Sequence, residues 1–408
     1  MRRITARQSA GTSACCAILM TIAASTSAWA QCRNAGSFER WLESFKQEAV
    51  AQGISPQVVA TALDGVAFDP GIIKKDRGQC VFQQSFLQFA GRMADGYRLQ
   101  NGAARLRSNA SLLARVEQQF GVPGPVVVAF WGLETDFGGN NGNLPVLRSL
   151  ATLAYDCRRP EMFREELLSA LRVVQRGDLS PSQMVGAWAG EIGQTQFSPS
   201  AYYKYAVDFD GDGRRDLIYS AADVLASSAN LLAKNGWRRG EPWLQEVRVP
   251  DSLPWDQADL AIKHPRSQWA RWGVALADGR PLSADNAAAS LLLPMGRLGP
   301  AFLAYANFGA FLEWNQSLVY ATTAAYYATR LAGAAPVHRG NGKPVTLSAA
   351  LVTELQRLLH RHGFDVGKID GKLGLDTRAG VKKAQLKLGM PADSFPTPEL
   401  IASLRGGR

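Results

Sequence analysis

Apolar side chains recur at helical spacing through most of the chain. In residues 37–63 (SFERWLESFKQEAVAQGISPQVVATAL) the pattern breaks at Gly53 and restarts at Ser55-Pro56, a capping and first-turn pair, so two consecutive helices are expected. The stretch SLLARVEQQFGVPGPVVVAFWGLETDFGG predicts a helix, a turn from Gly121 to Gly124, and a second helix. Residues 160–176 (PEMFREELLSALRVVQR) carry Phe163, Leu167, Leu168, Leu171 and Val174 on one face, the signature of an amphipathic helix. Ser180-Pro181 is expected to start another. Strand-like runs are few and short. The stretch 333–344 (GAAPVHRGNGKP) has the composition of a linker, and about sixty residues follow it, enough for one small module.

Composition supports a large folded core. The 408 residues are 46% hydrophobic and 20% charged, which excludes global disorder and is compatible with two or three domains. The first thirty residues differ from the rest. A basic start (MRRITAR), an apolar patch from Ala17 to Ala24, and Ser27-Ala28-Trp29-Ala30 follow the order of a secretory signal cleaved after Ala30. The patch is too short to span a bilayer, and no later segment reads as membrane-spanning. An exported, periplasmic protein is therefore expected. Removal of residues 1–30 takes away Arg2, Arg3 and Arg7 and no acid, and lowers the formal charge from +10 to +7. A basic exported protein suits acidic envelope polymers, and export speaks against nucleic acid as partner. The mature chain keeps Cys32, Cys80 and Cys157. An oxidising compartment permits one disulfide, for which Cys32–Cys80 is preferred as a pin for the mature N-terminus. All four histidines lie at position 264 or later, so a His/Cys zinc site in the first half is implausible.

Chemistry enters at VVVAFWGLETDFGGNNGN, residues 126–143. Glu134 ends a run of apolar side chains. Phe130, Trp131 and Leu133 beside it would strip water from the carboxyl group, which disfavours the anion. A position near a helix C-terminus disfavours negative charge too. Both effects keep a proton on the group near neutrality, and a neutral carboxylic acid beside a polar cleft can protonate the leaving oxygen of a glycosidic bond. Taken alone, a Glu at a helix end is more often solvated or salt-bridged. Two further stretches change the weighting: GAWAGEIGQTQFSPSAYY (186–203) and YANFGAFLEWNQSLVYATTAAYYATR (305–330) are dense in aromatic rings, amides and hydroxyls, the groups that recognise sugars.

Together these segments resemble the lytic murein transglycosylases of the MltB type, glycoside hydrolase family 103. GLETDFG is similar to the family's catalytic G-x-E-T-x-x-G segment, which implies an acid/base role for Glu134. AGEIGQTQFSPSAY is similar to its A-G-x-x-G-x-x-Q-F-x-P-S-x-Y segment and implies Gln196, with Phe197 beside it, at the substrate. LAYDCRRPEMF resembles the segment that sends an Arg-Arg pair, here Arg158 and Arg159, to the saccharide cleft. NFGAFLEWNQSLVYA resembles N-F-x-x-I-x-x-Y-N-x-S-x-x-Y-A, with Trp314 in place of the usual Tyr and Asn315 after it; stacking survives that change and a hydroxyl contact is lost. The likeness runs from about residue 37 to 333. It implies cleavage of the MurNAc-β-1,4-GlcNAc bond of peptidoglycan without water, giving 1,6-anhydroMurNAc ends, with no cofactor needed for the chemistry. A hydrolytic muramidase or a non-catalytic wall-binding scaffold are the rival readings. Asp136 and Glu191 are the candidates for a second carboxylate. Asp136 lies two residues from Glu134 and faces elsewhere on a continuous helix, suited to local capping or pairing. Glu191 fits a loop salt bridge. Neither is expected to act as a nucleophile.

A second signal follows. Asp208, Asp210 and Asp212, with Gly213 and then Arg214, form the D-x-D-x-D-G start of an EF-hand loop. Alternating carboxylates converge on one hard cation, and Arg214 would contribute only its carbonyl. Tyr219 stands where the standard loop has Glu, and the resemblance implies that Asp223 closes a lengthened loop instead. A structural Ca2+ is expected in preference to a plain acidic turn.

The last module, LVTELQRLLHRHGFDVGKIDGKLGLDTRAGVKKAQLKLG (351–389), shows two amphipathic helices flanking a loop, with Leu355, Leu358, Leu359, Val381 and Leu388 as its core. It resembles the PG_binding_1 peptidoglycan-binding domain through L-Q-x-x-L and G-x-I-D-G-x-x-G-x-x-T, which implies a three-helix bundle that anchors the chain to wall polymer. His360 and His362 are expected at the solvent surface. The expectation is thus a mainly α chain: a signal peptide (1–30), a lysozyme-like catalytic domain with an additional helical subdomain (31–333), a linker (334–344) and a small three-helix bundle (345–408). Glycan strands are the expected partner, with other cell-wall enzymes as further candidates.

Overall fold

A computed structural model describes residues 36–78 and 84–406. The expected signal segment and Cys32 and Cys80 lie outside the described residues. Cys157, which the preferred pairing left over, is disulfide-bonded, and this corrects that expectation.

The body is built around the helix Gly124–Thr135, which is buried along nearly its whole length. It is apolar on all sides, as a helix enclosed by others must be. Helices Gly96–Ser108, Ala110–Phe120, Ala221–Lys234 and Leu318–Leu331 surround it. Its sequence is a poor intrinsic helix former, since Val126, Val127 and Val128 are β-branched. Pro125 in its first turn and burial on every face decide the conformation instead. The turn before it falls at Gly121, in the left-handed region at φ 78°. At its far end Gly132 admits Phe137, because a Cβ there would lie 2.8 Å from the Phe137 ring.

The other expected helices form as Phe38–Ala51, Pro56–Leu63 and Pro160–Arg176, the second opening at its expected Ser55-Pro56 pair. Phe163, Leu167, Leu168 and Leu171 are buried, with Val174 packed against the core's edge. The helix expected at Ser180-Pro181 is a single 3₁₀ turn, Pro181–Gln183. Its successor, Val185–Gly186, pairs with Leu144–Pro145, so tertiary pairing ends the helix.

Residues 244–304 hold a feature that the hydrophobic pattern did not announce. His264–Pro265, Ala288–Leu292, Ala301–Ala304, Leu244–Arg248 and Ala275–Leu276 form a five-stranded antiparallel sheet in that order. Leu291 faces Leu303 across the central pair. The sheet has its own core, with Trp269, Leu291 and Leu303 fully buried. Its middle strands are covered on both faces, so they carry no apolar–polar alternation to read.

The C-terminal module contains the helices Ala349–Arg361, Leu375–Lys387 and Pro398–Arg405. Leu355, Leu358, Leu359 and Val381 are buried in its core, and Leu388 packs against it. A buried glutamine organises its loop. Gln356 Nε2 donates to the carbonyls of Lys368 and Lys372 (both 3.1 Å) and to Thr377 Oγ1 (3.0 Å), while Gln356 Oε1 accepts the Gly371 N–H at 2.8 Å. His360 is exposed, whereas His362 Nε2 lies 2.9 Å from the Leu404 carbonyl and helps close the bundle. The module is docked on the body. Arg378 donates to the Leu293 carbonyl (2.6 Å), Lys382 pairs with Asp259 (3.0 Å), and the Arg297 N–H reaches Asp393 (2.9 Å). The stretch 334–344 also lies along the body, through Gly342 N–H to Leu298 O (2.9 Å) and Asn341 to Val249 O (3.0 Å).

Replacing Gln356 by Leu leaves several buried polar groups unpaired, each costing about 1–3 kcal/mol. Calorimetry of the full chain should show the module melting first in Gln356→Leu; an unchanged transition would refute the organising role of this side chain.

Candidate active site

Glu134 is the penultimate residue of the central helix. The chain leaves that helix abruptly: Asp136 and Phe137 both take left-handed backbone angles (φ 56° and 61°), a costly conformation for residues with side chains. Asp136 caps the helix and pairs with Arg98 at 3.3 Å, the local role expected of it. Thr135 Oγ1 accepts the Gly138 N–H at 2.9 Å and donates to the Gln194 carbonyl at 2.5 Å, which ties the turn down.

The carboxyl group of Glu134 meets two donors on one oxygen. Trp314 Nε1 donates to Oε1 at 2.9 Å, and the Tyr320 hydroxyl donates to the same atom. Trp314 is itself fixed by stacking on Phe130, ring centroids 4.1 Å apart, and Phe197 meets it edge-on at 5.8 Å. Burial pushes the Glu134 carboxyl above its ordinary value; the Tyr320 and Trp314 hydrogen bonds oppose that rise, and the charge of Glu191 adds to it. Burial, with Glu134 beside it, holds the Tyr320 hydroxyl well above its usual range, so this group remains a donor. With Oε1 taken by two donors, the proton of the neutral acid belongs on Oε2.

A cleft of about 550 Å³ opens at this carboxyl. Gln196, Phe197, Trp314 and Asn315 line it with Glu134, so five of the expected residues come together. Gln196 is held in the left-handed region (φ 53°), and its amide donates to the Gly193 carbonyl at 2.9 Å. Trp314 does more than stack: its N–H takes a place on the acid that a ring alone would not.

Arg158 and Arg159 are not among the groups lining the cleft. Both bind Asp76, a carboxylate only 1% exposed. Arg158 also donates to the Asp76 carbonyl. Together with Arg77–Asp156 at 2.7 Å, they stitch the helix Pro70–Arg77 to the end of Val146–Tyr155 beside Cys157. The resemblance sends the pair to the saccharide cleft; here a buried anion engages both guanidinium groups.

Sequence reasoning missed Tyr320 and Gln194 as functional side chains. Tyr320 is the second Tyr of the N-F-x-x-I-x-x-Y-N-x-S-x-x-Y-A pattern, a signal that could have found it. Gln194 Oε1 accepts Trp131 Nε1 at 2.7 Å, and its Nε2 donates to the Ile218 carbonyl at 2.7 Å. It thereby joins the acid-bearing helix to the loop that carries the aspartates.

In that loop, carboxylate oxygens of Asp208, Asp210 and Asp212 lie within 4.8 Å of one another. Like charges at that spacing fit a hard divalent cation. Asp208 accepts the Gly211 and Gly213 N–H groups at 2.8 and 2.9 Å. The Arg214 N–H donates to Asp212 at 2.9 Å. Asp223 stands outside this triad. Its fully buried carboxylate accepts the N–H groups of Phe209 (2.7 Å) and Asp216 (2.8 Å), so it closes the loop through the backbone.

The raised proton affinity of Glu134 has a stability consequence. The native state holds this proton longer than the unfolded chain does, so the group costs stability as pH climbs from 4.5 through its raised native value. Thermal melts of Glu134→Gln against the parent should diverge in favour of the variant across that window and converge below it. Parallel curves would show a carboxyl with ordinary affinity.

Residues 37–329 match the model of the transglycosylase SLT domain, and residues 348–404 match that of a peptidoglycan binding domain. Membrane-bound lytic murein transglycosylase B of Escherichia coli K12 is 31% identical over 238 residues, a span that covers 58% of this chain and 64% of that protein. SltB3 from Pseudomonas aeruginosa, in complex with NAG-anhNAM-pentapeptide, superposes with a TM-score of 0.84 at 42% identity, over 91% of this chain and 100% of that one. The Escherichia coli lytic transglycosylase Slt35 in complex with calcium superposes at 0.61 with 28% identity, over 71% and 92% of the two chains. The transglycosylase SLT domain model matches residues 37–329, most of this chain's length, and the chain belongs to that family.

Proposed function

We propose that this chain is a peptidoglycan lytic transglycosylase that cleaves MurNAc-β-1,4-GlcNAc bonds without water. The observation that carries this reading is the loading of both hydrogen bonds of Glu134 onto Oε1 inside an apolar niche. Oε2–H gives its proton to the leaving GlcNAc oxygen as the C1–O bond breaks. The carboxylate so formed is held by Tyr320 and Trp314 until it takes the proton of the MurNAc C6 hydroxyl. O6 then closes on C1 and leaves a 1,6-anhydro end. One carboxyl group serves both steps, and the two donors stabilise it only in the charged interval between them. The substrate class is supported by SltB3, whose complexes hold NAG-anhNAM-pentapeptide and NAG-NAM-pentapeptide.

Export to the periplasm follows from the N-terminal signal pattern, and among the described residues no helix is long and apolar enough to cross a membrane. In this reading residues 31–333 carry the chemistry, 334–344 connect, and 345–408 hold wall polymer. The acidic loop binds a structural Ca2+ through Asp208, Asp210 and Asp212; the ion would neutralise their mutual repulsion. It takes no part in the chemistry.

Digestion of purified sacculi should release muropeptides lighter by one water than their hydrolytic counterparts. Glu134→Gln should lose that release while still sedimenting with sacculi. Products bearing reducing ends would make the enzyme a muramidase, and release by the variant would remove Glu134 from the acid role. For the loop, calcium at about 100 times Kd should stabilise the chain by about 2.7 kcal/mol, an effect absent from Asp210→Asn. A melting temperature indifferent to calcium and to chelator would rule the ion out.

A further inference from the structure

Glu191 is a second carboxylate in the same cleft, and the scheme above leaves it idle. The salt bridge expected of it is not formed among the described residues. Its Oε2 is buried and has no hydrogen-bond partner. The charged groups around it are Glu134, Glu166, Arg159 and, along the cleft wall, Glu313. Arg159 is the one cation among them, and it forms no ion pair with Glu191. Its Nη2 is held by Asp76 while its Nε has no hydrogen-bond partner, and Glu166 is a like charge held by Ser200 at 2.7 and 2.9 Å.

The backbone keeps the side chain where it is. Ile192 exchanges both hydrogen bonds with Phe197, at 2.8 and 3.0 Å, and the Glu191 carbonyl accepts the Ala187 N–H at 2.9 Å. Gly186 lies so close behind that a Cβ there would sit 2.0 Å from the Glu191 carbonyl oxygen. A buried, unpaired carboxylate oxygen on a pinned strand costs stability that a purely structural residue would not demand. A donor brought by the substrate removes that cost.

A glycan offers hydroxyls and acetamido N–H groups. Of these donors, the acetamido N–H sits on a group that becomes cationic between the two steps, when its carbonyl oxygen assists departure at C1. Resting on the transglycosylase reading, we propose that Glu191 accepts the acetamido N–H of the MurNAc whose C1 is attacked and stabilises the cationic ring that forms there. The carbonyl oxygen bonds C1 as the C1–O bond breaks, and the Glu134 proton leaves with GlcNAc. Attack by O6 then reopens the ring, and the O6 proton returns to Glu134. In its ionised form Glu191 stands opposite a charge present only between the two steps. Burial raises its own proton affinity, while the N–H groups of Glu191 and Ala189 and the charge of Arg159 draw it down.

The test is the kcat and KM of the full-length chain on soluble glycan strands, as a function of pH. Glu191→Gln should lower kcat about a hundredfold with KM nearly unchanged, the pattern of an interaction made only in the transition state. It should also lose the acid limb of the pH profile, where the parent falls as Glu191 protonates. Glu191→Asp, which keeps the charge, should retain that limb and serves if the glutamine variant does not fold. An undiminished kcat, or a rise in KM alone, overturns the proposal. Failure of the parent to make anhydro products would instead sink the transglycosylase reading.

Discussion

One carboxyl oxygen with two donors, enclosed by apolar side chains, sets the demands that the rest of the body meets. Burial raises the proton affinity of Glu134 by keeping water from it, and the helix that carries it is buried along nearly its whole length. Such a helix needs partners on all sides, and the surrounding helices provide them. In the proposed reaction the same carboxyl must tolerate charge after giving up its proton. Tyr320 and Trp314 supply that tolerance from the helices Leu318–Leu331 and Phe308–Trp314, far along the chain. Burial and donation pull the proton affinity in opposite directions, and the proposed mechanism, in which one acid becomes a base within a turnover, draws on both.

The floor of the cleft is held from the opposite side. Gln194 grips Trp131 through its side chain and Thr135 through its carbonyl, one on each flank of the acid. Its N–H and its side-chain amide both run to the Leu217–Ile218 backbone. That backbone follows Asp216, whose N–H binds Asp223. Order in the acidic loop and order at the helix end are thus one connected hydrogen-bond system. Its members are mostly buried, where an unmade hydrogen bond is expensive.

Much of this was legible in residue order. The cap and first-turn pair Ser55-Pro56 marks a helix start that the structure reproduces, because capping is a local interaction. Glu134, Gln196, Phe197, Trp314 and Asn315 were found through their motifs, and they share one cleft. Contacts between distant segments were not legible. Nothing near Arg158 and Arg159 signals that Asp76 will claim them. Nothing near Tyr320 gives the direction of its hydroxyl. The sheet was hidden because buried strands look like any short apolar run, and the bonded state of Cys157 because three cysteines cannot declare their pairing.

The C-terminal module shows how a polar interface can fix a position that a linker alone would leave free. Arg378 is buried against the Leu293 carbonyl, and desolvation brings its pKa down to about 10. Lys382 reaches Asp259 and the Ala258 carbonyl. Asp393 is gripped from both sides, by Gln385 of the module at 2.8 Å and by the Arg297 N–H of the body. Burying cations against carbonyls gains little net stability, yet a shift in register would strand each of them without a partner. Such an interface is weak as an adhesive and strong as a register mark. It converts a composition typical of a flexible tether into a single seating of the module on the body, so that whatever the module holds lies at a set distance from Glu134.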